Sequence, residues 1–429
     1  MTVIASTQPA PNRSPFGLLS GHLQFRLLFL GTTLAQLAFG MMNVAQGVVA
    51  FDLTGKNSAV GFVALGQGLA MLVVGPLGGT LSDRVSKRRL LLTTQTTIGS
   101  MYAIIAALII TGTITIWVLA TATLVLGCMY AVMGPTRQAW LGDMLEGPEL
   151  ITGIALQQLM QNATRIVGPL VAGALIATHG IGAGGTYTTM VAIFVIVVAV
   201  LTLTEPTPPR PRDRHSSVLG DLSAGLNYIR RSPDVRLLAV VFVGVVMSGF
   251  SYQTIMPGFL ENQLGHPASQ LGWVYGAAAI GGVVTTLTLT GRKPVRSIRL
   301  MFVFGMALPA SLGLLAVAPS FGTALAGAAL VGASSSGFQM LNNINLMQRT
   351  SPNFLGRVMA VTLMAFGVQA IVAYPIGVFA DHSGERVTMG LLGGVCLVVV
   401  TVGFALSRVG TTAARFAEDD SRPPRGVEL

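Results

Sequence analysis

The stretch GTLSDRVSKRR, from Gly79 to Arg89, ends one long apolar run and begins another. An acid, Asp83, is followed at once by Arg84, and three consecutive bases close the stretch. Basic turns between membrane spans are retained in the cytoplasm, so this turn should lie inside the cell. It therefore determines the predicted orientation of every other segment.

The composition excludes most soluble classes of protein. The chain has 429 residues, of which 52% are hydrophobic and 10% are charged, and its mean hydropathy is +0.69. So little charge is typical of a polytopic helical membrane protein, because lipid surrounds most of its surface. The net charge of +10 would suggest nucleic acid in a soluble protein, but loop topology accounts for it here. We expect a lipid bilayer as the surroundings and no nucleic-acid partner.

Long apolar segments predict the fold class. Twelve of them have about 20 or more residues, and each is long enough to cross roughly 30 Å of hydrocarbon. The prediction is an all-α membrane protein with twelve transmembrane helices in two pseudo-symmetric six-helix halves. The segments are 24–51, 59–82, 89–112, 115–140, 150–178, 185–204, 235–260, 269–291, 297–317, 321–347, 354–380 and 387–408.

One long polar interval separates the two halves. It begins with a proline- and arginine-rich linker and continues into DLSAGLNYIRR, which is typical of a short helix at the membrane surface. The start of the chain lacks the short apolar core and cleavage site of a signal peptide, so it is expected to be a cytoplasmic lead. The predicted domains are the N-terminal lead at 1–23, the first six-helix half at 24–204, the cytoplasmic linker at 205–234, the second six-helix half at 235–408 and a cytoplasmic tail at 409–429.

The distribution of basic residues supports one orientation. With both termini inside, all but three of the 26 Lys and Arg residues fall on the cytoplasmic side, in loops, termini or the cytoplasmic ends of spans. Lys56 and Arg386 fall outside, and Arg165 lies within a span. Retention of positive loops produces this bias, so we expect a multi-pass protein of the cytoplasmic membrane.

The two halves carry traces of one duplicated unit. The second segment opens with Ser58-x-x-Gly61 and the eighth with Ser269-x-x-Gly272, and in each the serine is expected to cap the first turn. One constant shift in numbering also pairs the fifth segment with the eleventh. It aligns Pro148 with Pro352, Gly173 with Gly377 and Gly180 with Gly384, and it places Arg165 opposite Gln369.

On these residues the sequence resembles the major facilitator superfamily over essentially all of its membrane part. GTLSDRVSKRR is similar to that superfamily's signature between the second and third helices, roughly Gly-x-Leu-Ala-Asp-Arg-x-Gly-Arg-Arg. Ser86 stands where glycine is usual, so a positive φ there would be strained and a looser turn is expected. The resemblance implies the major facilitator fold and a secondary transporter. The matching positions are Gly79, Leu81, Asp83, Arg84, Lys87 and Arg88.

The resemblance also implies a cytoplasmic gate. Asp83 would face the start of the eleventh helix, and Gly79 would allow close approach of helices. A carboxylate is favoured near a helix N-terminus and beside Arg84 or Arg137, and Asp143 could complete a charge network at the same level. The alternative is that charges here lie in a wet loop and set topology, which is preferred for the Lys-Arg-Arg run. The predicted gating residues are Gly79, Asp83, Arg84, Arg137 and Asp143.

Two further stretches resemble the drug-efflux branch that contains macrolide exporters and the enterobactin exporter. They are GPTRQAWLGDMLEGPEL, from Gly134 to Leu150, and RIVGPLVAGALIA, from Arg165 to Ala177. The second stretch also resembles the helix 5 motif associated with antiporters, at Gly168, Pro169 and Gly173.

Arg165 lies near the middle of the fifth segment, where an ionised side chain costs at least about 2.5–3.5 kcal/mol unless it is solvated or paired. It is therefore expected to face an interior cavity. Gln158, Gln161 and Arg165 share one helical face and form a polar stripe. One interpretation is a cationic anchor for a substrate with a carboxylate, phosphate or phenolate. The other is a structural arginine satisfied by carbonyls or amides of neighbouring helices.

Polar side chains at mid-depth in both halves are further candidates for substrate binding. Each amide alone is as readily explained by a hydrogen bond between helices. As a set they suggest a large, mostly neutral pocket. Besides the stripe on the fifth segment, the candidates are Gln36, Asn43, Gln67, Tyr252, Gln253, Gln339, Asn342 and Gln369.

No acid lies at mid-depth to balance Arg165, because the acids fall at helix ends, in loops or in the tail. Coupling of transport to protons would need a carrier that cycles between environments. Asp52, Asp83, Asp143 and Glu261 are all candidates, and the sequence does not distinguish among them.

Together these features predict an alternating-access exporter of amphipathic organic small molecules, of drug, macrolide or siderophore type, with proton coupling left open. The alternatives are a lysophospholipid or other lipid translocator and a transporter-like membrane sensor. An enzyme is not expected, because the histidines are scattered and no nucleophile or metal-ligand cluster occurs. No cofactor and no metal are expected, since the two cysteines lie alone in apolar runs. The predicted partner is the small-molecule substrate, and the chain is expected to be monomeric.

Overall fold

The structure is a computed structural model, and its described residues are almost entirely helical, with no β-strand among them. The described residues are 15–205, 218–290, 298–351 and 353–420, without the side chains at 15–16, 76–84, 218–219 and 409–420. The predicted N-terminal lead up to residue 14, the start of the linker at 206–217 and the end of the tail at 421–429 lie outside the described residues.

The first part of the chain forms seven helices. The six long ones fall within a few residues of the predicted spans, because in lipid an apolar run must satisfy its backbone by its own helical hydrogen bonds. Left-handed glycines turn the chain after two of them, Gly55 with φ +65° and Gly112 with φ +69°. The helices are α1 (Pro15–Gly21), α2 (Leu23–Asp52), α3 (Asn57–Arg84), α4 (Lys87–Ile110), α5 (Ile116–Met144), α6 (Gly147–Ala177) and α7 (Gly182–Thr202).

The second part continues with eight helices. The seventh predicted span is broken, since α9 ends at Gly249 and the chain resumes helical structure at Tyr252. Phe259–Gln263 then forms a π-helical turn, and Ala268–Gln270 forms a 3₁₀ turn. The helices are α8 (Val218–Arg231), α9 (Pro233–Gly249), α10 (Tyr252–Gly258), α11 (Leu271–Thr290), α12 (Ile298–Ala316), α13 (Phe321–Arg349), α14 (Leu355–Ser383) and α15 (Glu385–Asp420).

Eleven helical stretches among the described residues are long and apolar enough to cross a membrane. The remaining predicted span, α6, has 31 residues and hence the necessary length. Its run of amides and Arg165 makes it less apolar than the others. Large apolar side chains such as Trp117, Val195 and Leu287 remain exposed on the helices, as expected where lipid covers the surface.

The chain divides into two compact units. The first, unit 1, contains Met1–Gly55, Phe62–Val218 and Ala268–Gly276. The second, unit 2, contains Lys56–Gly61, Leu219–Pro267 and Ala277–Leu429.

Aromatic rings pack the interior of each unit. In unit 1, α4 packs on α5 and α7, and the Tyr102 ring lies 5.4 Å from that of Phe194. The Tyr102 hydroxyl also lies 2.8 Å from that of Tyr130 on α5. In unit 2, α9 packs on α13, α14 and α15, and the rings of Phe242 and Phe338 stack at 6.5 Å. These contacts fix which helical faces remain for polar side chains.

The short helix predicted after the linker is α8, and specific contacts hold it within unit 2. Asp221 accepts a hydrogen bond from Arg357 at 2.7 Å. The Tyr228 ring stacks on Phe354 at 4.7 Å, and its hydroxyl accepts a hydrogen bond from the Ser351 backbone N–H at 3.1 Å. That hydrogen bond lowers the pKa of the Tyr228 hydroxyl. The helix is therefore docked by its side chains and is not a free connector.

Candidate functional site

A polar pocket lies within unit 1 between α2, α5 and α6, and the space in it that a water-sized group can occupy is about 20 Å³. Most of its lining side chains carry hydroxyl, amide or guanidinium groups. No acid is among the described residues that line it. The lining residues are Thr32, Thr33, Gln36, Arg137, Gln138, Ile154, Gln157, Gln158, Met160 and Gln161.

Helical spacing brings these side chains together. Thr32 and Thr33 lie four and three residues before Gln36 on α2, and the α6 lining includes Ile154, Gln157 and Gln161 at spacings of three and four, so each set is centred on one face of its helix. The two helices approach closely where glycines face each other: a Cβ added at Gly168 would lie 2.9 Å from the Cα of Gly40. Small residues thus allow two polar faces to meet beside α5.

Arg137 is the cation of the pocket. Its Nε and Nη1 atoms are removed from solvent and have no hydrogen-bond partner. The guanidinium forms no ion pair with any residue that the structure describes. Burial of an ionised group without compensating hydrogen bonds is unfavourable, since the lost hydration is not replaced. The pocket therefore presents a cation whose donors are available to a ligand.

Amide groups surround this cation. Gln157 is only 8% exposed, and its Nε2 atom also lacks a hydrogen-bond partner. Gln36 and Gln161 are half-buried, and Gln158 is exposed. The pocket can therefore both donate to and accept from oxygen-rich groups, because each amide carries two N–H donors and one acceptor oxygen.

The structure brings together three predicted substrate residues, Gln36, Gln158 and Gln161, and joins them to Arg137, which was predicted only as a gating residue. Arg165, the predicted anchor, does not line this pocket. Its side chain is exposed on α6, and it forms no hydrogen bond or ion pair with the part of the chain that the structure describes.

The other predicted substrate residues do not line this pocket, and their roles stay predictions. In unit 1, Asn43 and Gln67 are half-buried. The members in unit 2 differ in exposure: Tyr252 and Asn342 are buried, Gln339 and Gln369 are half-buried, and Gln253 is exposed.

Sequence reasoning missed several lining residues, chiefly Thr33, Gln138 and Gln157. A spacing signal was present, because Thr33 lies three residues before Gln36 and Gln157 lies four before Gln161. Gln138 follows Arg137 directly and carried no such signal. Only the packing of α5 against its neighbours shows that it reaches the same place.

A buried ion pair joins the start of α4 to the end of α5. Lys87 Nζ lies 2.5 Å from Asp143 Oδ2, and the two side chains are 11% and 3% exposed. Lys87 thus has a structural contact in addition to its predicted part in retaining the loop in the cytoplasm. Asp143, which was expected to join a charge network at this level, has Lys87 as a described partner. The partnership is possible because the last turn of α5 lies beside the first turn of α4.

The rest of the predicted gate lies outside the described side chains. The α3 helix continues through Gly79, Asp83 and Arg84, but no contact of their side chains is described, so their gating role stays a prediction. The turn that follows avoids the left-handed region, since Ser86 has φ −53°. The strain that a positive φ would impose on a serine at this position is therefore avoided.

The helix 5 motif occupies two sites of close packing in unit 1. Gly168 faces Gly40 on α2, as described above. A Cβ added at Gly173 would lie 2.8 Å from the Cα of Gly272, and one added at Gly272 would lie 2.5 Å from the Pro169 carbonyl oxygen. The motif thus permits contact between the backbones of α6 and the start of α11.

Unit 2 contains a buried carboxylate. Glu385, the first residue of α15, is 4% exposed. Its Oε1 atom accepts hydrogen bonds from the Asn57 and Asn262 amides at 3.0 and 2.7 Å, and its Oε2 atom accepts one from Gln263 at 2.9 Å. The Gln263 oxygen in turn accepts a hydrogen bond from Arg386 Nε at 3.1 Å. The carboxylate is thus fully engaged by neutral donors.

The same cluster caps the first turn of α3. The backbone N–H groups of Asn57 and Ser58 donate to the two carboxylate oxygens of Asp381, at 2.7 and 3.0 Å. The expectation that Ser58 caps this helix is therefore wrong, because a carboxylate from α14 occupies the capping site. Close packing of the two backbones allows Asp381 to reach the start of α3, since a Cβ added at Gly377 would lie 2.5 Å from the Asn57 carbonyl oxygen.

Known proteins match this chain over most of its length. A sequence model of the Major Facilitator Superfamily matches residues 28–374. The Staphyloferrin A transporter of Staphylococcus aureus is 24% identical over 395 residues, which cover 89% of this chain and 94% of that protein. The enterobactin exporter EntS of Escherichia coli O127:H6 is 26% identical over 415 residues, which cover 92% of this chain and 91% of that protein.

Solved structures show the same fold at low sequence identity. The nucleoside transporter NupG superposes with a TM-score of 0.73 and 13% identity, over 89% of this chain and 98% of that chain. A bacterial homolog of the human lysosomal transporter Spinster superposes with a TM-score of 0.74 and 12% identity, over 90% of this chain and 96% of that chain. The predicted all-α membrane fold of two six-helix halves is confirmed.

Proposed function

Since this chain belongs to the major facilitator superfamily, we propose that it is an alternating-access exporter of amphipathic organic small molecules, of drug, macrolide or siderophore type. Family membership makes it a multi-pass membrane transporter of small molecules and not an enzyme. The direction of transport and the class of cargo are what we propose beyond family membership. The names of the two relatives, a siderophore transporter and a siderophore exporter, support both.

The observation that carries the proposal is the polar pocket between α2, α5 and α6. Its lining combines amides and hydroxyls with two apolar side chains, Ile154 and Met160. Such a mixture suits a molecule that has both oxygen-rich and apolar parts. A translocated lipid would instead require a predominantly apolar lining for its chains.

The proposal includes the inner membrane as location, with both termini in the cytoplasm, and proton antiport as the source of energy. Positive loops favour that orientation, as the distribution of Lys and Arg indicates. Among the acids considered as proton carriers, Asp143 is engaged by Lys87. That ion pair disfavours Asp143, and Asp52, Asp83 and Glu261 remain the candidates.

Transport into everted inner-membrane vesicles tests the export function, because their cytoplasmic face is turned outward. We expect protein-dependent uptake of enterobactin or erythromycin, and loss of that uptake when a protonophore collapses the proton gradient. Vesicles from cells that lack the protein are the control. Uptake only into right-side-out vesicles would contradict export, and transport of a fluorescent lysophospholipid alone would favour the lipid translocator.

A further inference from the structure

We propose that the pocket between α2, α5 and α6 binds a carboxylate group of the transported molecule and that Arg137 is its anchor. This inference rests on the proposed export function and specifies the chemical class of its cargo. It assigns to Arg137 a binding role, where the sequence indicated a gate and placed the anchor at Arg165.

The charge of the pocket favours an anion. Arg137 is the one cation among the described lining residues, and no acid lines the pocket with it. The nearby carboxylate of Asp143 is already held by Lys87 at 2.5 Å. The positive charge of Arg137 is therefore not neutralised by these residues, and an anionic group of the cargo would supply both the charge and the acceptors that it lacks.

The number of cations favours a carboxylate over a phosphate. A carboxylate carries one negative charge at neutral pH, whereas a phosphate monoester carries between about 1.5 and 2. One guanidinium balances the first but not the second. Its planar set of N–H donors also matches the two oxygens of a carboxylate, and such charge-assisted pairs are roughly twice as strong as neutral hydrogen bonds.

The size and the other lining groups indicate what surrounds the carboxylate. The space in the pocket that a water-sized group can occupy is about 20 Å³, little more than one water molecule needs, so the pocket takes the carboxylate group alone and the rest of the molecule lies outside it. The unpartnered Nε2 atom of Gln157 offers a further donor. Gln36 and Gln161 can contact hydroxyl or carbonyl oxygens next to the carboxylate.

Other buried polar groups do not make a comparable site. Both amide atoms of Asn342 are buried without a partner, but Asn342 is fully enclosed and lines no described pocket. Arg165 is exposed and lies outside the lining. Arg137 is the residue that combines charge, burial and an adjoining cavity.

Saturation-transfer difference NMR with benzoate and benzamide tests the proposal on the full-length protein in phosphatidylcholine nanodiscs. The two probes have nearly the same shape and differ in charge. We expect wild-type protein to bind benzoate at least about ten-fold more tightly than benzamide. Arg137→Gln should remove this preference without changing the affinity for benzamide, and Arg137→Lys should keep part of it because the charge remains while the planar fork is lost.

Arg89→Gln is the matched control, since it removes one positive charge from an exposed position of the same unit. It should leave the preference for benzoate intact. Equal affinities for the two probes in wild-type protein would overturn the proposal, as would a preference that survives in Arg137→Gln. Loss of the preference in Arg165→Gln alone would place the anchor at Arg165 instead.

Two further outcomes distinguish the carboxylate site from a lipid-phosphate site and from the proposed export function. If phosphatidylglycerol in the nanodisc displaces benzoate, the pocket takes a lipid phosphate and the carboxylate assignment fails. The binding measurement does not depend on direction or coupling. A failure of vesicle uptake with intact benzoate preference would therefore reject the export function alone, whereas uptake with no such preference would reject the anchor alone.

Discussion

Arg137 in unit 1 and Glu385 in unit 2 are both charged residues with buried polar atoms, but they differ in the hydrogen bonds that those atoms form. Glu385 accepts hydrogen bonds from three amides. Arg137 has two buried donor atoms, Nε and Nη1, with no hydrogen-bond partner among the described residues. An unsatisfied buried charge weakens a fold, whereas a satisfied one does not. The arrangement around Arg137 is therefore suited to a binding site, and the arrangement around Glu385 to a structural connection.

The Lys87–Asp143 pair belongs with Glu385 as a satisfied charge, and breaking it should have the largest effect. Asp143→Asn leaves the Lys87 ammonium without its partner in a site that is 11% exposed. We expect a loss of about 3–5 kcal/mol in the free energy of unfolding. Thermal unfolding of the purified protein measures this as a lower Tm.

The matched control removes both charges with Lys87→Met and Asp143→Leu. Replacement of a buried ion pair by apolar residues of similar volume is often close to neutral, so the double variant should recover most of the Tm. A single variant as stable as wild type would mean that the pair contributes nothing, and Lys87 would return to its predicted role in topology.

Glu385→Leu should have the next largest effect and the same sign. It leaves amide donors of Asn57, Asn262 and Gln263 facing an apolar side chain, which should cost about 2–4 kcal/mol of stability. Glu385→Gln should cost less, since its amide oxygen still accepts. Tm values of the two variants in detergent give the comparison, and equal losses would show that the hydrogen bonds are not what stabilises this cluster.

Arg137→Leu should have the smallest effect and the opposite sign. Removal of a half-buried cation whose Nε and Nη1 atoms have no partner among the described residues should leave stability unchanged or raise it by up to about 1 kcal/mol. Transport should nevertheless fall, since the anchor is lost. Parallel Tm and vesicle-uptake measurements would show the two changes, and a fall in Tm as large as that of Glu385→Leu would mean that Arg137 is a structural residue.

The internal repeat sharpens the contrast between the units. The shift in numbering that pairs Gly173 with Gly377 also pairs Pro169 with Ala373. In unit 1 the Pro169 carbonyl faces Gly272, and in unit 2 the Ala373 carbonyl faces Gly61, where an added Cβ would lie 2.5 Å from the oxygen. The backbone crossing of α6 with the start of α11 in unit 1 thus has a counterpart in unit 2. At the positions in unit 1 that correspond to Asp381 and Glu385 stand Ala177 and Ile181. The glycines are shared by the two copies, whereas the carboxylates are present in only one.

Much of the fold followed from local patterns. The long helices begin and end within a few residues of the predicted spans except at two places. The chain bends between Gly249 and Tyr252, and α15 continues to Asp420, twelve residues beyond the predicted end and into the predicted tail. The site was predicted less completely. Gln36, Gln158 and Gln161 were predicted because polar side chains stand out in apolar helices. Arg165 was predicted as the anchor from its depth in one helix, because the sequence does not indicate which side chains of neighbouring helices lie opposite it.

Sequence alone determined where the long apolar helices fall and predicts one orientation, because hydrophobic length and the placement of Lys and Arg are local properties. Tertiary structure alone decided which polar groups meet. Asp143 pairs with a lysine 56 positions away, and Glu385 accepts from an asparagine 328 positions away. A helix satisfies its own backbone but leaves its side chains to whichever helix packs beside it, so only the packing distinguishes the satisfied charge of Glu385 from the available charge of Arg137.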